Sequence, residues 1–289
     1  MSFRFYYKED NNEWILLNNS IGKYITIVFF IIIYRLKKNS LFEFITDRKG
    51  QLNTINFDYL RNLKKLVFTI NLGNYDEIRK VDKQYGYDYF LFVDEYNSNY
   101  TNSNWTIFYL PKNVINLNMS LIKKQRFIKT HPHLFFPNYD ISIYIDSTYK
   151  IHGDLDEFLL RILTPKHSLY ILEHPERNTI SQEFKVVKNL KKENISTIMK
   201  VKKRYNSTNY TDKNGLIESC IIIRKHNDIN CINIMEEWFK EIKKYSHRDQ
   251  LSFNYVLWKS GRKIKYLSKK FCFNYLSGDY KHKKKIQFK

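Results

Sequence analysis

The sequence predicts an α/β fold, one main domain built on a mixed sheet flanked by helices. Three observations lead there. Residues 141–151, ISIYIDSTYKI, alternate isoleucine with Ser142 and Tyr144, the two-residue period of a strand, and run directly into Asp146, Ser147 and Thr148. From residue 64 onward such runs alternate with segments of helical spacing, the succession that builds a layered sheet. The 289 residues are 43% hydrophobic and 17% aromatic, enough apolar material for a substantial core and too much for a disordered chain.

Taken in order, the elements begin indistinctly. Residues 24–34, YITIVFFIIIY, are a continuous apolar run followed by Arg35, Lys37 and Lys38. The run is shorter than the roughly 20 residues a membrane span needs, and its basic flank lies on the wrong side for a secretory signal. It reads as a buried strand, with a short membrane anchor as the alternative. Residues 1–60 are set apart as an N-terminal extension, and 61–289 as the main domain.

Residues 64–80, KKLVFTINLGNYDEIRK, read as a strand, a turn at Gly73-Asn74 and the start of a polar helix. Residues 87–93 form a strand ending in Asp94-Glu95, 97–104 a polar loop, and 105–110 a further apolar segment. Residues 118–129 show helical spacing, with Lys123, Lys124, Arg126 and Lys129 among Leu121, Ile122 and Phe127. After the central strand come a helix at 155–163 and a short strand at 168–172 leading to His174, Arg177 and Glu183. Residues 184–203 are a Lys-rich amphipathic helix or helix pair with a solvated face. A buried strand at 215–224 and an amphipathic helix at 230–245 follow. Arg248-Asp249-Gln250 then opens a last helix, where Asp249 suits the positive end of the helix dipole.

The formal net charge of +20 points to anionic partners. Lys, Asn, Ile, Tyr and Phe dominate, however, and the chain has no alanine. Those residues share A/T-rich codons, so an A/T-biased genome, such as a viral one, accounts for much of the lysine. Basic and acidic residues are interleaved in most segments and no recognition motif is visible. Specific nucleic-acid binding is therefore not expected, whereas an anionic substrate such as a nucleotide diphosphate is. Three cysteines, Cys220, Cys231 and Cys272, give neither a disulfide framework nor a zinc site. The expected location is the cytoplasm, with a membrane-associated or Golgi-like location as the alternative.

A carboxylate closing an apolar strand stands where open α/β sheets bind ligands. Asp and hydroxyl oxygens suit a hard cation such as Mg²⁺ or Mn²⁺. The simpler alternative is an Asp that starts a turn.

Four stretches in order resemble the TOD1/MUCI70 glycosyltransferase-like family, from about Lys64 to the C-terminus. The first carries Arg126, Lys129, His133, Leu134, Pro137, Tyr139, Ser142, Ile143 and Asp146. The second has His174, Arg177 and Glu183, and the third Glu218 and Arg224. The most specific is HRDQLSFNYV, with Arg248, Asp249, Gln250, Ser252 and Phe253. The resemblance implies a GT-A-like, Rossmann-type mixed sheet that binds a nucleotide-sugar at its carboxyl edge. It implies a glycosyltransferase of hexosyltransferase type, acting on a glycan or other hydroxyl acceptor. Such enzymes hold a divalent cation with Asp-x-Asp, but here the second carboxylate is replaced, giving Asp146-Ser147-Thr148. The expected metal ligands are then Asp146, Thr148 and His282. Arg126, Lys129, Arg224 and Arg248, with Asp146, are the expected donor-binding residues.

Transfer needs charge stabilisation on the departing diphosphate and a carboxylate to take the acceptor proton. Asp249 is the candidate base or acceptor ligand, Gln250 a ligand of sugar hydroxyls, and His174 a group reaching donor or acceptor. Asp146 is expected at the floor of the main cleft. His131 and His133 are expected to point apart if their segment is extended. The missing second carboxylate leaves an alternative, a catalytically inactive sugar- or partner-binding protein on the same fold.

Overall fold

The computed structural model describes residues 5–8, 14–17, 57–213 and 215–278. The chain divides into two compact units, Met1–Leu52 and Asn53–Lys289. In the first, Phe5–Lys8 pairs antiparallel with Trp14–Leu17. The apolar run at 24–34 lies outside the described residues. In the second unit the first helix, α1 (Phe57–Asn62), buries Leu60 completely, and the carbonyl of Leu60 accepts a 2.6 Å bond from the Lys65 ammonium. This helix and the unit that contains it begin before residue 61.

The core is a seven-stranded sheet. Its strands are β1 (Lys65–Ile70), β2 (Tyr87–Val93), β3 (Thr106–Tyr109), β4 (Ile141–Ile145), β5 (Leu169–Glu173), β6 (Ile217–Lys225) and β7 (Lys265–Leu267). Their spatial order is β7-β5-β6-β4-β1-β2-β3. Only β6 runs antiparallel to its neighbours, β4 and β5, so the sheet is mixed. β4 is the middle strand, with all five residues buried, Ser142 and Tyr144 included. Its polar alternation therefore marks a second covered face rather than a wet one.

Alternate residues send two cores to opposite faces. Val67, Ile143 and Ile145 pack with α1 and with α3 (Leu155–Ile162). Phe68, Tyr144 and Ile222 pack with α2 (Leu121–Thr130), α6 (Ile229–Lys244) and α7 (Phe253–Ser260). The Lys-rich region is a helix pair, α4 (Ile180–Asn189) and α5 (Ile195–Ser207). Its buried residues Phe184, Ile198, Val201 and Tyr205 form a third cluster with Leu251 and Tyr255. Among the described residues no helix is long and apolar enough to cross a membrane.

Two expected elements differ. No helix follows Gly73-Asn74; Leu72–Asn74 is a 3-10 turn and residues 76–84 carry no regular structure. Their polar groups are met from elsewhere. Asn71 exchanges bonds of 2.9 and 3.0 Å with the Asp76 backbone, Val81 donates to the Ser103 carbonyl, and the Trp105 indole donates to Arg79. Gly73 has φ +64°, and a Cβ there would meet Leu121 Cδ2 at 2.6 Å, so the turn depends on glycine. Likewise, Asp249 opens a 3-10 turn, Asp249–Leu251, and not an α-helix.

At the amino end of β4 a histidine cluster is buried. His131 and His133 stand 5.7 Å apart and both reach Glu236, at 3.3 and 3.6 Å, so they point the same way and not apart. His226 is 1% exposed, and burial, reinforced by Arg224, lowers its pKa to about 4. The neutral ring is the folded form, whereas the unfolded chain takes a proton near 6.5. Stability is therefore complete above about pH 6.5 and declines as pH falls towards 4. Acid titration of the folded fraction should show about 1–3 kcal/mol from His226 lost across that window, and His226→Gln should remove that part, leaving the part from His131 and His133, whose pKa values burial also lowers.

Candidate functional site

The carboxyl ends of β1, β2 and β4 meet the amino end of the antiparallel β6 at one edge. Asp146 follows β4 there, and its amide donates to the Cys220 carbonyl at 2.9 Å. Asp146 Oδ1 accepts a 2.5 Å bond from the Tyr144 hydroxyl, two residues back on the same face, and lies 4.0 Å from Lys129 Nζ. The Asp146 side chain is 37% exposed.

Behind it lies a charge cluster. Asp249 Oδ2 accepts from Lys129 Nζ at 2.9 Å and from Ser219 Oγ at 2.8 Å, and Arg126 Nε stands 3.2 Å away. Oδ1 takes the Gln250 amide at 3.0 Å. Burial alone would raise the Asp249 pKa, but Arg126, Lys129 and Arg248 outweigh it and hold the carboxyl far below the usual range. The carbonyl of Asp249 is fixed by the Trp238 indole at 3.0 Å. An occluded, ion-paired carboxylate of this kind is a poor proton acceptor. Both oxygens of Asp249 are engaged inside this cluster, and the residue heads a 3-10 turn.

The cations differ in access. Lys129 is 1% exposed, bonded to Ser219 Oγ at 3.0 Å and set 4.8 Å over the Tyr144 ring. The Arg126 side chain is 15% exposed, its Nε 3.4 Å from the His247 carbonyl. Arg248 is partly exposed, with a buried Nε that has no hydrogen-bond partner. Burial lowers its pKa, and Asp249 nearby opposes this. The Tyr75 hydroxyl lies in the field of Arg248 and Arg126. Gln250 faces the same edge but donates from Nε2 to the Ile217 carbonyl at 3.1 Å, so its amide nitrogen secures β6.

Arg224 is not part of this site. It pairs across from Ser142 at the amino end of β4, because β6 runs antiparallel. It is 1% exposed, and its Nη2 donates to the Lys129 carbonyl at 2.6 Å, placing positive charge at the C-terminal end of α2. His174 is likewise turned inward. Its Nδ1 accepts from the amides of Glu176 and Arg177, and its Nε2 lies 2.6 Å from Arg177 Nη2, whose Nε donates to Glu183. The ring orders its own loop rather than facing a substrate.

The expected cation site is incomplete. Ser147 Oγ donates to the Asp76 carboxylate, and both oxygens of Asp94 accept from the Gly73 amide. Thr148 is partly exposed beside Asp146, and His282 lies outside the described residues. Among the described residues no group of three or more His, Cys, Asp or Glu side chains is placed to hold a metal. The described residues therefore supply no complete ligand set for a divalent cation beside Asp146.

Asp146 lines neither of two surface cavities. A cavity of about 500 Å³, lined by Tyr59, Leu63, Tyr139, Ile141, Lys225 and Asn227, sits at the opposite edge of the sheet. A second, of about 480 Å³, involves Asn233, Glu237, Lys240 and Arg262.

Sequence reasoning missed Tyr144, Ser219 and Tyr75. Tyr144 was readable, since a two-residue period puts it on the face of Asp146. Ser219 stood out as a hydroxyl inside the apolar run of β6. Tyr75 carries no such signal.

The family model described as TOD1/MUCI70, glycosyltransferase-like domain, matches residues 46–278. Among solved structures, the WbbM bifunctional glycosyltransferase aligns with a TM-score of 0.44 and 17% identity, over 84% of this chain and 45% of that one. The glycosyltransferase GlyE of Streptococcus pneumoniae TIGR4 gives 0.39 and 12%, over 74% and 47%. Mouse xyloside xylosyltransferase 1 gives 0.40 and 8%, over 71% and 84%. The chain thus spans about half the length of the first two. No curated protein matches the chain.

Proposed function

The chain belongs to the TOD1/MUCI70 glycosyltransferase-like family, and on that premise we propose that it transfers a sugar from a nucleotide-sugar donor to a hydroxyl acceptor at the carboxyl edge of its sheet. The observation that supports this most is the convergence of Arg126, Lys129 and Arg248 on one edge beside the half-exposed Asp146. The guanidinium groups of Arg126 and Arg248, both beside Asp249, supply the donors for a diphosphate.

In this reading Arg126 and Arg248 bind the diphosphate, since guanidinium groups match phosphate oxygens in pairs. Lys129 and Asp249 sit deeper and fix those groups. Asp146 takes the proton of the acceptor hydroxyl as its oxygen bonds the anomeric carbon. The bond to the diphosphate breaks with its electron pair, and the nucleoside diphosphate leaves. Tyr144 orients Asp146 through Oδ1, leaving Oδ2 towards the acceptor. The missing second carboxylate favours a second reading, an inactive sugar-binding protein, which would bind donor without turning it over.

Calorimetric titration with nucleoside diphosphates tests the site. Arg248→Gln should weaken binding about 10–100-fold, the usual worth of hydrogen bonds to a charged group. The exposed Lys263→Gln should leave binding unchanged. Equal weakening by both variants would show only a diffuse charge effect and reject the site.

A further inference from the structure

We propose that the α4–α5 helix pair is a docking surface for an anionic lipid bilayer. Between residues 185 and 203 seven lysines are exposed, Lys185, Lys188, Lys191, Lys192, Lys200, Lys202 and Lys203. The one carboxylate in the span, Glu193, is buried and bonded to Ser246 and His247. The exposed charge of this span is therefore entirely positive.

Apolar side chains stand out of the same surface. Leu190 is 58% exposed, Ile195 58% and Met199 60%. Ile195 and Met199 are four residues apart and share one helix face. Ile198, Val201 and Tyr205 supply the buried face of α5, so Ile195 and Met199 are not needed for the core. Leu190 closes α4 at the turn that leads to α5. Exposed apolar residues ringed by lysines are the pattern of an interfacial surface, with side chains entering the acyl boundary while ammonium groups meet lipid phosphates.

A single-stranded nucleic acid fits less well. The exposed residues of this surface include no aromatic ring or arginine on which bases would stack. The apolar trio would have no role against phosphates. The turn between the helices also holds Glu193, bonded to Ser246 and His247 beside Arg248, so a docked bilayer would lie next to the rim of the candidate site.

Cosedimentation of the full chain with vesicles tests this, using phosphatidylcholine alone and phosphatidylcholine with about 30% phosphatidylserine. Two triple variants accompany the wild type, one with Lys191→Gln, Lys200→Gln and Lys203→Gln, the other with Leu190→Ser, Ile195→Ser and Met199→Ser. All six positions are exposed, so both variants should fold, which circular dichroism checks. The wild type should bind the anionic vesicles at least about tenfold more tightly than the neutral ones, and each triple variant should lose about tenfold or more. Three outcomes overturn the proposal. They are no wild-type binding, loss only in the lysine variant with equal affinity for a single-stranded RNA, or unchanged binding in the apolar variant.

Discussion

Asp249→Asn should destabilise the protein by about 3–5 kcal/mol, the cost of leaving buried charge uncompensated. The carboxylate is 3% exposed and holds Lys129, Ser219 and Arg126 on one oxygen. An asparagine keeps the size but not the charge, so the ammonium of Lys129, itself 1% exposed, would lose its closest counter-ion. For a domain of this size the melting temperature should fall by roughly 10 °C. Adding Lys129→Met removes the stranded cation and should recover part of the loss, a coupling that a double-mutant cycle measures. A folded Asp249→Asn protein of wild-type stability would contradict the buried cluster.

Asp146→Asn should lower sugar transfer by about 10²–10⁴-fold, the usual worth of a general base, with stability nearly unchanged. Asp146 is more than a third exposed, and Lys129, the nearest cation, is 4.0 Å away and already paired with Asp249. Removing its charge therefore strands no ion. The amide still accepts from Tyr144, so the geometry of the edge persists. Donor affinity should hold within about threefold, because the diphosphate contacts lie on Arg126 and Arg248. This split between turnover and binding distinguishes a residue that acts on the acceptor from one that merely shapes the edge.

The parts of the fold that were legible in the sequence are those set by local periodicity. The central strand, its terminal Asp146, the Lys-rich helix pair and the amphipathic α6 all carry their pattern within a dozen residues. What failed depended on distant partners. The segment after Gly73 looks helical, yet its backbone is engaged by Ser103, Asn104 and Trp105. Asp249 looks like a cap because its partners Lys129 and Ser219 lie 120 and 30 residues away. Arg224 was placed with the diphosphate because strand direction is not written in a strand. Once β6 runs antiparallel to β4, the residue that closes it lies at the far edge from Asp146. Four or five residues of strand, at about 3.3 Å each, are enough to remove it from the site.

The central claim is that the edge carrying Asp146, Arg126 and Arg248 turns over a nucleotide-sugar. Mass-spectrometric screening of a panel of nucleotide-sugars with the full chain and with Asp146→Asn tests it most directly, reading free nucleoside diphosphate and transferred or hydrolysed sugar. At least one donor should be consumed by the wild type, with release reduced about a hundredfold or more in the variant. A panel in which no donor is consumed, or one consumed equally by both proteins, would contradict the account.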